Sequence, residues 1–490
     1  MATILFSGVL VFMANAGLTQ PGDWLMSSDV DFLKQYTFSV YIAHPDLGKI
    51  GRAELKFGNG GRAHLTFEDI QSIARLGDQS SHRKLVATTP SGDIFTLFDC
   101  KRTGFSVFAT FVFTGAIEDQ FKKIKIKYLG LSEWFFLHQH LEGEPGKAIE
   151  WKNTPKHIDA TAGTGKERLR ITSDSEIRSK TSGPSITITE DVLFIIEALA
   201  DEFSLDGLRE KTIEFSSLLS ILIGQPLSIS TIHVVDCKGS HAYTYFPSFM
   251  SQEDEEQEKT SWTEYLVRKI ALDGKWQRII ENYYKSAHRK VTWRRLAGMQ
   301  RYEGFWEYKI FGYVSILDYY VSQHSKKQKP PATAIPKLTQ KEINKVVEAI
   351  SSITTTDQQQ RIAGELKKIE KVELNFSSKF KHAINSADQD VVKIIALSDS
   401  DFALIKRTRD KIAHGEELTL KDGDFQRIHT LVNKIALLLM YWAFIDCGLS
   451  KDDFVDGIRV THNPLRLGAQ LNSMHLAKVS KRPSFSRFQK

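Results

Sequence analysis

Cysteine is scarce in this sequence. Cys100, Cys237 and Cys447 are the only three in 490 residues, and they lie far apart. No CxxC pair or Cys/His cluster has zinc-ligand spacing, and a disulfide-stapled secreted scaffold would need more cysteines. A reducing, cytoplasmic setting is the expectation, with each cysteine a small buried apolar residue. Charge of one sign is also not in large excess. Lys plus Arg number 65 against 59 Asp plus Glu, a formal charge of +6, which permits a nucleic-acid partner without demanding one. Beyond the N-terminus no segment reads as long and apolar enough to cross a membrane, so no membrane partner is expected. Gly163-Thr164-Gly165-Lys166 lacks the spacing of a phosphate-binding loop and reads as a turn, and no Ser or Cys nucleophile has an interpretable partner. No metal and no cofactor are expected, and there is no fixed-period repeat.

What is present supports folded cores. Hydrophobic residues make up 41% and charged residues 25%, ordinary proportions for a globular chain, and the length suits two or three domains. Ile4, Phe6, Val9, Val11 and Phe12 read as a strand pair turning near Gly8. The alternative is a processed segment ending at Ala14-Asn15-Ala16, against which stands the absence of Lys or Arg before Lys34. Tyr36 to Ile42 alternates as a strand. Strands over Arg52–Phe57 and Arg62–Phe67 flank Gly58-Asn59-Gly60-Gly61, and strands over Lys84–Thr89 and Ile94–Cys100 flank Pro90-Ser91-Gly92-Asp93, two hairpin signals. Phe105–Thr114 and Phe121–Tyr128 continue the pattern, with Arg168–Thr172 and Ser185–Thr189 as further strands. The period changes near Val192. Leu205–Ile223 has helical spacing and stops at Gly224-Gln225-Pro226, before a strand over Leu227–Val235. The first domain, residues 1–250, is therefore β-rich, a sandwich or barrel-like sheet with added helix.

An acidic stretch, 251–261, reads as a solvated linker. From Trp262 to Gly448 the pattern is helical: Trp276–His288, Tyr302–His324, Thr339–Ile353 behind a Thr cap, Asp357–Val372 behind an Asp cap, Phe376–Asn385, Asp399–Ala413 stopped by Gly415, and Phe425–Cys447 stopped by Gly448. The helical domain is set at 262–456. Residues 457–490 carry seven Lys or Arg and no acid, and form either a flexible basic arm or a loosely docked extension. The fold class is α+β.

One segment concentrates chemistry: Lys406-Arg407-Thr408-Arg409-Asp410-Lys411-Ile412-Ala413-His414-Gly415. Asp410 and His414 stand four apart and share a helix face, where a carboxylate can hold one imidazole nitrogen and leave the other for substrate. Arg409 has the reach to swing to the same point, and Arg407 lies on the His414 face. Arg neutralises phosphate bidentately and His moves a proton near neutral pH, the two needs of phosphodiester cleavage. The same spacing equally describes an Arg-rich helix face ending in a histidine favoured by the helix dipole.

Arg409-Asp410-x-x-x-His414 resembles the Arg-(polar)-x-x-x-His motif of HEPN domains (higher eukaryotes and prokaryotes nucleotide-binding), as does the ending Ile412-Ala413-His414-Gly415. The first half resembles the N-terminal domain of ApeA-type anti-phage proteins through Leu129-Gly130-Leu131-Ser132-Glu133-Trp134 and Leu218-Leu219-Ser220-Ile221-Leu222-Ile223-Gly224-Gln225-Pro226. The resemblance covers most of the chain up to about Asp456. It implies an all-α HEPN bundle, a metal-independent endoribonuclease, a homodimer that builds one composite cleft, and a role in defence. It assigns His414 as general acid/base and Arg409 as stabiliser of the phosphorane. Asp410 stands where the family often has Asn, which places extra negative charge beside RNA. HEPN domains often carry an acid on an earlier helix, and Asp318 is the candidate, either as a salt-bridge partner of Arg409 or as a surface residue. The expected substrate is RNA, with tRNA favoured, and a phage-derived trigger protein is the expected activator.

Arg407 and Lys411 are expected to meet RNA beside the pair. Arg289, Lys290, Trp293, Arg294 and Arg295 form a second candidate surface, since cations interleaved with an aromatic can grip phosphates and stack a base. The alternative is a solvated face with Trp293 in the core. The competing overall reading is a non-catalytic HEPN-like dimerisation or RNA-binding scaffold.

Overall fold

The computed structural model describes residues 30–77, 81–143, 150–183, 185–248, 263–326, 339–368, 375–418 and 423–479. The strand pair expected over 4–13 and the acidic linker 251–261 lie outside the described residues. The expected order, a β-rich unit followed by a helical one, is present.

Alternating apolar residues build β1 (Gln35–His44), β2 (Gly48–Gly58) and β3 (Ala63–Phe67). The β2–β3 turn uses left-handed backbone at Asn59 and Gly60, as the glycine-rich sequence requires. Helix α1 (Ile70–Arg75), capped by Asp69, leads to β4 (Ser81–Thr88), β5 (Ile94–Thr103) and β6 (Ser106–Ala109). Because β6 pairs with both β3 and β5, these six strands close a barrel, which leaves no free edge. The single strand expected over Phe105–Thr114 is instead two, β6 and β7 (Phe111–Thr114). The reason lies in β5. A left-handed residue, Asp99 (φ 50°), separates its pairing with β7 from its pairing with β6.

The sheet runs on through β7 into a second, open half. This holds β8 (Gln120–Tyr128), β11 (Asp159–Ala162), β12 (Leu169–Ser182), β13 (Ser185–Ala198), β15 (Ile229–Asp236) and β16 (His241–Tyr245), with β14 (Phe203–Ser204) paired to β8. A separate ribbon pairs β9 (His140–Glu142) with β10 (Glu150–Lys152). Val192 does not mark the end of β structure. Val192, Phe194 and Ile196 alternate inward, and β13 runs to Ala198. Helices α2 (Leu131–Phe136) and α3 (Leu205–Ile223) cover the sheet, with Phe215 of α3 set 5.2 Å from the Phe194 ring, and Gly224 (φ 74°) ends α3 as expected.

Helices α4 (Lys269–Leu272) and α5 (Trp276–Lys285), a π-helical turn over residues 289–293, and α6 (Arg294–Gln300) pack on the β unit. Gln277 of α5 exchanges two 3.0 Å hydrogen bonds with the Thr161 backbone. Beyond them come α7 (Trp306–Lys326), α8 (Gln340–Ala349), α9 (Thr356–Lys368), α10 (Phe376–Ser386), α11 (Gln389–Ile395), α12 (Asp399–His414) and α13 (Asp424–Asp446). Asp357 is not the cap of α9. Thr355 accepts from the Gln358 amide, and Asp357 sits in the first turn.

The membrane expectation needs one correction. α13 is 23 residues long and its most apolar 18-residue stretch has a mean hydropathy of 1.5, enough in length and composition to cross a membrane. In this fold 83% of its apolar window is buried, so it serves as the core helix. The basic tail is also corrected. Residues 457–479 are neither arm nor loose extension, for α14 (Lys451–Val460), α15 (Pro464–Gly468) and α16 (Ser473–Val479) dock on the body. Asn463 is 0% exposed and donates to the carbonyls of Gly224 (3.0 Å) and Glu264 (2.9 Å).

Candidate functional site

A capping box between Ser398 and Asp401 starts α12, and left-handed Gly415 (φ 69°) ends it. Phe402, Leu404, Ile405 and Thr408 are buried and fix its inner face. That leaves Ala403, Arg407, Asp410 and His414, at helical spacing, on an outer stripe. They line a depression of about 470 Å³ together with Lys406, Lys411, Glu416 and Ser377 of α10. Arg407 and His414 are exposed, and Lys411 donates to the Glu417 carbonyl at 3.4 Å.

Arg409 leaves α12 elsewhere. Its Nη2 lies 3.3 Å from Asp318 Oδ2 on α7, and its Nη1 donates to Asp410 Oδ1 at 2.9 Å. The ion pair expected between Asp318 and Arg409 is thus present, in a half-buried setting. Two sequence expectations are not met. Asp410 does not hold His414. Its second oxygen pairs with Lys406 Nζ at 3.4 Å, so both carboxylate oxygens are engaged by cations. Nor does Arg409 swing to His414. Five residues at about 100° each place the two side chains roughly 140° apart around the helix, and Asp318 draws Arg409 to the α7 side.

Sequence reasoning also missed supporting residues. Ser322, one turn after Asp318, donates to it at 3.4 Å and accepts from Lys379 of α10 at 3.2 Å. Lys406 was open to detection through its i,i+4 spacing to Asp410. Lys379 carried no signal, because α10 is brought to α7 only by the fold.

The second candidate surface dissolves as a unit. Trp293 is 0% exposed and donates Nε1 to Asp446 of α13 at 2.6 Å, so it cannot stack a base. Arg289 is buried, paired with Glu214 of α3 at 2.9 Å and lying over the Tyr284 ring at 4.9 Å. Lys211 joins the same carboxylate at 3.0 Å. Lys290 is exposed but pairs with Glu210, while Arg294 and Arg295 face solvent with no acid partner among the described residues. Burial with Glu214 explains Arg289, since an unpaired buried guanidinium would cost several kcal/mol.

Among the described residues no group of three or more His, Cys, Asp or Glu side chains is placed to hold a metal ion. Exposed aromatics stand at the starts of α7 and α13: Phe305 (74% exposed) just before α7, Tyr308 (60%) and Phe311 on it, and Phe425 in the first turn of α13, with Trp306 at 5.3 Å between ring centroids.

Comparison with curated proteins and with solved structures found no match. Comparison with protein families found two, in tandem. The family of ApeA N-terminal domain 1 matches residues 36–283, and the Apea-like HEPN family matches residues 311–453. The first covers half of the chain and takes in α4 and most of α5, helices packed on the β unit. The second runs from within α7 to the first turn of α14, and takes in both the Arg409–Asp318 pair and His414. The chain therefore belongs to the ApeA-like family, an ApeA N-terminal domain joined to a C-terminal HEPN domain of a nuclease and anti-phage defence class.

Proposed function

We propose that this protein is a metal-independent endoribonuclease of anti-phage defence that cuts host RNA, with tRNA the favoured target, and so acts as an abortive-infection toxin in the cytoplasm. The observation that carries this reading is α12 itself. It presents an exposed histidine and, roughly 140° around the helix from it, an arginine positioned by a carboxylate from another helix. In the reaction the RNA 2′-hydroxyl attacks its own phosphorus. His414 takes up the hydroxyl proton or delivers one to the departing 5′-oxygen, and Arg409 offsets the charge of the phosphorane. The products are a 2′,3′-cyclic phosphate and a 5′-hydroxyl. Arg407 and Lys411 bind flanking phosphates, and the exposed Arg294 and Arg295 offer more distant contacts.

The separation of Arg409 from His414 within one copy supports a homodimer. A second HEPN domain facing the α7–α12 surface brings its histidine toward the first copy's arginine. Exposed aromatics on α7 and α13 supply apolar area for that contact. The N-terminal domain restrains the nuclease until a trigger, a phage protein in this reading, releases it.

The test incubates the protein and its His414→Ala variant with total RNA in EDTA and maps the product ends, with light scattering to report the oligomer. Cleavage by the parent alone, leaving cyclic phosphates, is expected. Equal cleavage by both removes His414 from the mechanism. RNA bound but uncut by either would favour a non-catalytic HEPN scaffold.

A further inference from the structure

Helix α10 touches both helices of the candidate site and is anchored to one of them. Phe380 of α10 is buried and stacks on Phe402 of α12, with ring centroids 3.9 Å apart and planes 4° apart. Phe376 meets the same ring at 5.0 Å, and Lys381 pairs with Asp399, in the first turn of α12, at 3.0 Å. Asn375 caps α10 by accepting from the Ser378 amide, so the turn that carries Lys379 is held at its start.

This anchorage decides what Lys379 can do. It stands one residue before Phe380, about 100° around the helix, and its ammonium crosses to α7, where it donates to Ser322 Oγ at 3.2 Å. Ser322 follows Asp318 by one turn, on the same face of α7, and donates to its Oδ1 at 3.4 Å. The other oxygen, Oδ2, lies 3.3 Å from Arg409 Nη2. A carboxylate held by one oxygen alone turns easily, because its terminal torsion is broad, and a guanidinium paired to it loses its direction. A hydroxyl that accepts from an ammonium is also the stronger donor, since successive hydrogen bonds polarise one another. The chain Lys379–Ser322–Asp318–Arg409 therefore starts and ends on helices that are packed together, α10 and α12.

We propose that Lys379 is a positioning residue of the cleavage site: through Ser322 it sets the Asp318 carboxylate, and so the aim of Arg409. In this role it contacts no reacting atom. The inference rests on the nuclease reading of α12.

The test makes two measurements on the full-length protein. The first is cleavage of bulk tRNA. Lys379→Met and Ser322→Ala should each slow the rate at saturating RNA roughly 10-fold. The RNA concentration for half-maximal rate should move by less than roughly 2-fold, with melting temperatures within a few degrees of the parent. Lys379→Arg should recover most of the rate, and the double variant should be no slower than either single one, since both break the same chain. The second measurement does not need cleavage. Arginine-selective isotope labelling and NMR follow exchange of the Arg409 Nε proton with water, the signal assigned by its loss in Arg409→Lys. Both variants should speed that exchange. Parent-rate cleavage by Lys379→Met, effects that multiply in the double variant, or unchanged Arg409 exchange would overturn the proposal. A parent that cuts no RNA, with faster Arg409 exchange in both variants, would support the positioning chain and sink the nuclease reading alone.

Discussion

Arg409 is gripped by two carboxylates, yet they do different work. Asp410 is its neighbour in sequence and travels with it, whereas Asp318 comes from α7 and sets the direction of the guanidinium relative to the bundle. Asp318→Asn keeps a hydrogen-bond acceptor but removes the charge. RNA cleavage is expected to fall roughly 10-fold or more, about 1.4 kcal/mol of transition-state stabilisation, while the melting temperature stays within a few degrees. Cleavage assays beside thermal melts check this, and unchanged cleavage would detach Asp318 from the site. The Arg, Asp and His of α12 were legible because a helix keeps sequence spacing as geometry. The direction of Arg409 was only half legible. Asp318 could be nominated from its apolar setting, but the sequence did not show that Asp410 would turn from His414 toward Lys406.

At the scale of elements, punctuation residues carried the most information. Gly415 closes α12 in open space at φ 69°, so Gly415→Ala meets no clash but must adopt left-handed backbone. It is expected to cost about 1 kcal/mol in chemical denaturation. Gly58-Asn59-Gly60-Gly61 announced its hairpin for the same reason. The split of β6 from β7 had no such mark, since Asp99 sits in a strand of ordinary β-forming residues and its left-handed backbone shows only in the fold. Trp293 was ambiguous in the same way, because a tryptophan among arginines reads alike on a surface or in a core. Its burial beside Asp446 predicts that Trp293→Ala destabilises by about 3–5 kcal/mol. Denaturation curves decide it, and a stable variant with weakened RNA binding would restore the surface reading.

At the scale of the molecule, the two family units share a seam. Glu214 of α3 meets Arg289 and Lys211 below the surface, and the π turn that carries Arg289 also carries Trp293, which reaches Asp446 of α13. Glu214→Ala leaves two buried cations unpaired and is expected to cost about 3–5 kcal/mol, read as a lower denaturation midpoint of the whole chain. If only one of two transitions moved, the seam would not couple the units. The sequence could not reveal this seam, since Glu214 and Arg289 stand far apart along the chain and each resembles a surface charge.

The Asn463 amide has a consequence in time. Its two hydrogen bonds reach Gly224, at the end of α3, and Glu264, just before α4, both made long before residue 463 leaves the ribosome. A nascent chain therefore exposes the Arg409–His414 segment before it can finish its own N-terminal half. For a protein read as toxic to its host, the interval between translating His414 and translating Asn463 is the period when nuclease and restraint are out of step. Ribosome stalling in that interval is where self-harm would begin.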